Sequence, residues 1–98
     1  MIWKRYEGGT DMRRKDGYIL RTIAGSNVLV PIGNEIANFN GVISLNDSAK
    51  FLWENLKEDI TTEELTDNLI KEYEIDRELA DKDVNEFIKI LSENKMLV

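Results

Sequence analysis

Four residues of strand character that run into a capped helix without a linker constrain this chain more than any other feature. Asn40-Gly41 tolerates positive φ angles and reads as the central pair of a type I′ turn. Val42-Ile43-Ser44-Leu45 then has strand character, and Asn46 follows at once as an N-cap with acidic Asp47 in the first helical turn. A strand this short belongs at the margin of a sheet, where its main chain stands open to another chain. Residues 42–45 are therefore a candidate binding edge.

Upstream, residues 18–24 and 27–32 bracket Gly25-Ser26, which suits a type II′ hairpin turn. That register pairs Ile23 with Val28, Arg21 with Val30 and Ile19 with Ile32, an almost wholly apolar stripe expected to meet the core. Tyr18, Thr22, Asn27 and Pro31 are then left on the wet face. Residues 35–39 read either as a fourth short strand or as an irregular crossing segment.

Everything after position 46 has helical periodicity. A first helix over about 47–57 aligns Ala49, Leu52, Trp53 and Leu56. A second opens on the capping box Thr61-x-x-Glu64, with Ile60 stapled to Leu65, and places Leu65, Leu69, Ile70 and Tyr73 on one side. A third follows Asp76 as N-cap and aligns Ala80, Val84, Phe87, Ile88 and Leu91. Met96-Leu97-Val98 is expected to fold back as an apolar tether. Strands followed by helices give an α+β layer: a small antiparallel sheet of three strands (four if 35–39 pairs) and then three helices. Residues 1–15, with Gly8-Gly9 and the basic run Arg13-Arg14-Lys15, read as a flexible arm before a domain over 16–98.

Composition matters mainly for what it removes. The 98 residues contain no histidine and no cysteine, so thiolate nucleophiles, imidazole bases and Cys/His zinc sites are all excluded. The serines lack an evident base. Asp47-Ser48 resembles a phosphopantetheine attachment pair, but a carrier protein is all-helical and nearly half of this chain reads as β. The acidic residues of the third helix lack the spacing and central glycine of a calcium loop. No catalytic residue, cofactor or metal is therefore expected, and the protein reads as a non-enzyme. No apolar run suits a secretory signal or a membrane span, so a cytoplasmic location away from the membrane is expected.

The last two helices could form a helix-turn-helix, which makes a DNA-binding regulator the alternative function. Charge argues against it. Residues 51–98 carry a net −8, and the candidate recognition helix at 77–94 sets Arg77, Lys82 and Lys89 against five acids. Nucleic acid is therefore not the expected partner. What remains is an extended peptide docked on strand 42–45, with Phe87, Ile90 and Leu91 of the third helix lining a groove beside it. Affinity on the order of micromolar is expected for so short a pairing. The open edge beside the arm also permits a strand-swapped homodimer.

Three blocks carry a family resemblance: Asp16-Gly17-Tyr18-Ile19-Leu20-Arg21-x-Ile23-Ala24-Gly25, Val28-x-Val30-Pro31-x-Gly33 and Phe39-Asn40-Gly41-Val42-Ile43-x-Leu45-Asn46. Ala49-x-Phe51-Leu52-Trp53-Glu54 and Thr62-Glu63-Glu64-Leu65 continue it. Together they resemble the PqqD-like proteins, over residues 15–98. The resemblance implies a winged-helix-like recognition element that binds the leader of a ribosomally made precursor peptide as an added strand. It also implies delivery of that leader to a maturation enzyme, such as a radical-SAM enzyme or a leader protease. By position, the leader would pair with Val42, Ile43 and Ser44 and contact Asp83, Phe87 and Ile90, with Leu45 closing the edge strand. Residues 35–39 depart from the pyrroloquinoline quinone member and point away from that pathway.

Overall fold

The computed structural model describes residues 11–38 and 41–98. Three strands, β1 (Tyr18–Ile23), β2 (Ser26–Pro31) and β3 (Ile43–Leu45), form one antiparallel sheet in the order β1-β2-β3. Between β2 and β3 lies a single helical turn, α1 (Glu35–Asn38). The expected strand or irregular crossing at 35–39 is thus a helical turn as far as it is described. Phe39 and Asn40, the latter half of the expected type I′ turn, lie outside the described residues. Three longer helices follow: α2 (Asp47–Asn55), α3 (Thr62–Tyr73) and α4 (Arg77–Glu93).

The hairpin differs from the sequence reading in register and in face. Its turn is Ala24-Gly25, with φ of 51° and 81°, so it is type I′ and Ile23 pairs with Ser26. The left-handed angle costs Ala24 roughly 1–2 kcal/mol. In exchange Leu20 pairs with Leu29, and the Thr22 hydroxyl donates to the Asn27 side chain at 3.1 Å. The core face is the one expected to be wet: Leu29 and Pro31 are buried, and Tyr18 and Leu20 pack on the core. Ile19, Ile23 and Ile32 are exposed instead. The polar Asn27 is buried because it has work there, its amide donating to the Asp47 carboxylate at the start of α2.

The helices follow their local signals closely. Asn46 caps α2, accepting from the Ala49 N–H at 2.8 Å. Thr61 and Glu64 form the reciprocal capping box of α3, and Asp76 caps α4. Leu52, Trp53 and Leu56, Leu65 and Leu69, and the five-residue α4 stripe all enter one core. Tyr73 departs from its expected apolar side. It is 41% exposed, and its hydroxyl donates to the Asp47 carbonyl while its ring meets Phe51 edge-on.

Residues 11–15, read from sequence as part of a flexible arm, are built into the fold. Met12 is buried and exchanges main-chain hydrogen bonds with Ile60. The Arg14 guanidinium lies 5.1 Å over the Trp53 ring and donates to the Trp53 carbonyl. The C-terminal tether does fold back: Met96 is fully buried, and Val98 donates to the Arg13 carbonyl.

Candidate functional site

β3 is an edge strand, paired only with β2 among the described residues. Its main-chain orientation follows from the hairpin turn. Ile23 and Ser26 close that turn as a hydrogen-bonded pair, and such pairs alternate with non-bonded ones along an antiparallel ladder. Ser26 and Val28 thus direct their N–H and C=O toward β1, and Asn27 and Leu29 direct theirs toward β3. Leu45 and Ile43, the partners of Asn27 and Leu29, turn their main chain inward to β2. The N–H and C=O of Ser44 between them face the open edge.

Side chains alternate the other way. Leu45 is buried and Ile43 half-buried on the helix side, whereas Ser44 is exposed on the outer face. Only Asn46 separates β3 from α2, so the cap fixes the angle at which the helix leaves the strand. The hydrogen bond from Asn27 to Asp47 ties that junction to the central strand.

Beside this edge runs a groove of about 170 Å³ between β3, the first turns of α2 and the middle of α4. Ile43, Leu52, Phe87 and Ile90 give it apolar walls, and Ala49, the smallest side chain of the α2 stripe, deepens its floor. Asp83 and Glu86 stand on the α4 side, three residues apart on one helical face.

The structure therefore brings Ile43, Ser44, Leu45, Asp83, Phe87 and Ile90 together in one place. Val42 is 55% exposed, precedes β3 and does not line the groove. Leu91, expected beside Phe87 and Ile90, is fully buried in the core. Asn46, Ser48, Ala49, Leu52 and Glu86 also line the groove and were missed from sequence. From sequence Asn46 reads as the cap of α2, Ala49 and Leu52 as its core stripe, and Ser48 as half of the excluded attachment pair. Glu86 did carry a signal, its spacing of three from Asp83. Ser48 donates to the Asn46 side chain, which gives it a place in the cap.

Among the described residues no cluster of three or more acidic side chains is arranged to hold a metal ion, and no helix is long and apolar enough to cross a membrane.

Three solved structures share this architecture. The PqqD truncation of Methylobacterium extorquens PqqCD, a stand-alone recognition element for ribosomally synthesized and post-translationally modified peptides, matches with a TM-score of 0.73 at 19% identity. It covers 100% of this chain and 99% of that one. A lasso peptide synthetase B1 complexed with the leader peptide matches at 0.66 and 23% identity, over 89% and 96% of the two chains. TbiB1 in complex with the TbiA(beta) leader peptide matches at 0.63 and 22% identity, over 87% and 93%. At these identities the likeness is one of fold. No protein with a curated description matches the sequence significantly. Residues 26–97, which span β2, β3, the groove and all the helices, match the family model for coenzyme PQQ synthesis protein D, and the chain belongs to the PqqD family.

Proposed function

We propose that this protein is a non-enzymatic recognition element that holds the leader of a precursor peptide as an added strand on β3 and presents it to a modifying enzyme. The observation that carries this reading is the coincidence of two features. Ser44 offers an outward N–H and C=O, and a groove with apolar walls opens directly beside it. Main-chain pairing supplies affinity in strand addition, and adjacent pockets supply selectivity. Two of the fold neighbours are complexes with leader peptides, which supports the same occupant here. The partner enzyme, a radical-SAM enzyme or a leader protease acting in the cytoplasm, belongs to the proposal.

The site residues then take distinct roles. Ser44 pairs through its main chain, with Val42 extending that pairing. Ile43, Leu45, Phe87 and Ile90 receive side chains of the leader, and Asp83 flanks them. Titrating 15N-labelled protein with a leader peptide from a short reading frame beside its gene is expected to shift the amides of 41–45 and of the α4 segment 83–90. Those shifts should leave β1 and the α3 surface unmoved. An absence of shifts at β3 with every neighbouring leader, or shifts confined elsewhere, would defeat the reading.

A DNA-binding role finds no support in the same surface. α4, the element that would enter a DNA groove, carries three bases against five acids and buries Val84, Phe87, Ile88 and Leu91.

A further inference from the structure

Among the described residues, Asp83 and Glu86 are the only charged side chains lining the groove. They lie on one face of α4, and neither forms an ion pair or a side-chain hydrogen bond among the described residues. Lys82 and Lys89 of the same helix and Lys50 of α2 do not line the groove. Asp83 is half-buried beside the apolar walls and Glu86 is exposed at their rim, so both present negative charge to whatever enters the groove. No trio of acidic side chains arranged to hold a metal ion exists among the described residues. The negative charge at the groove therefore complements a cation carried by the occupant.

A strand added to β3 supplies one. Paired through Ser44, it directs alternate side chains toward α2 and α4, on the same side as Ile43 and Leu45. A long basic side chain at such a position lays its methylenes along Phe87 and Ile90 and carries its charged head to Asp83 and Glu86. We propose that the groove selects an extended segment bearing Lys or Arg at a groove-facing position, with an apolar residue two positions away for the wall formed by Ile43 and Leu52. An acidic residue at that position is rejected by like-charge repulsion. This inference rests on the reading of the groove as the docking site and adds the charge of its occupant.

The test uses three fluorescein-labelled dodecapeptides of alternating Val and Thr that differ only in one central residue: Lys, Gln or Glu. Anisotropy titrations use the full chain and the Asp83→Asn, Glu86→Gln double variant at low salt. On the natural chain the Lys peptide is expected to bind about fivefold more tightly than the Gln peptide, the scale of a favourable exposed ion pair. The Glu peptide should bind more weakly than either. In the double variant the three affinities should converge on that of the Gln peptide. Equal affinities of the Lys and Glu peptides for the natural chain would overturn the charge inference and leave strand docking intact. Failure of all three to bind at millimolar concentration would overturn both. The ranking on the natural chain decides the matter even where the double variant folds poorly.

Discussion

Gly17 and Glu35 form a lock between the entry to β1 and the single turn α1 that follows β2. Gly17 has φ of +110°, and its carbonyl accepts from the Ile32 N–H at 2.8 Å. A β-carbon there would stand 2.5 Å from the Glu35 Cγ. Gly17→Ala therefore combines a backbone conformation closed to alanine with a clash. It is expected to cost about 1–3 kcal/mol in urea unfolding. Glu35 is buried, pairs with Lys15 at 2.7 Å and accepts from the Tyr18 hydroxyl at 3.1 Å. The bond from Lys15 holds its carboxyl below the ordinary value of 4.5, with burial opposing and the Tyr18 hydroxyl assisting. A carboxylate whose folded pKa is lowered stabilises the protein above its unfolded pKa, and that contribution fades as pH falls through the folded pKa. The natural chain should thus exceed Glu35→Gln in stability by a constant margin above pH 4.5, and the margin should shrink below it. Urea midpoints for both chains between pH 7 and pH 3 measure this directly; a margin independent of pH would remove the Lys15 pair as its source.

At the level of elements, legibility in the sequence divides by the range of the interaction involved. All three long helices announced their N-caps, because Asn46, Thr61 with Glu64, and Asp76 act within one turn of themselves. The buried face of the hairpin was not legible, because both of its faces are largely apolar and apolar count favoured the wrong one. The choice is made by β3 and α2, which bring Leu45 beside Asn27 and set the Trp53 ring edge-on to Tyr18 at 6.3 Å. β-Branched Ile and Val then serve as strand formers on the outer face. The groove was legible only in outline for the same reason. Strand and α4 stripe could be read separately, but the lining supplied by Ala49 and Leu52 depends on how α2 lies between them. The orientation of Ser44 leads to a sharp comparison. Its N–H makes no bond to β2, so Ser44→Pro removes a donor from the open edge and leaves the β2–β3 ladder complete. The variant should fold yet bind leader peptide about tenfold more weakly, from one lost hydrogen bond and the bulk of the ring. Ser44→Ala, which keeps the N–H, should bind as the natural chain does. Calorimetric titration of the two variants separates main-chain from side-chain recognition.

Across the whole molecule, segments from opposite ends of the described chain close the core together. Lys15 donates to the Met96 carbonyl at 2.7 Å and Val98 to the Arg13 carbonyl at 2.7 Å, while Met12 pairs with Ile60. None of this could be read from residues 11–15, whose charge and neighbouring glycines describe a solvated arm; the partners lie about 45 to 85 positions away, and only the folded layer brings them near. Met96 is the keystone of this closure, with no exposed surface. Met96→Ala should cost about 2–5 kcal/mol by transfer and cavity effects, whereas Leu79→Ala, at a position 46% exposed, should cost far less. The closure also reaches the lock at Glu35, because Lys15 bonds to Met96 through its main chain and to Glu35 through its side chain. Loosening one end should weaken the other. The double variant Met96→Ala, Glu35→Gln should therefore lose less stability than the two single losses combined, with a coupling of about 0.5 kcal/mol or more. Strict additivity in urea unfolding would mean that Lys15 holds the two sites independently, and that the end closure and the Glu35 lock are separate supports of the fold.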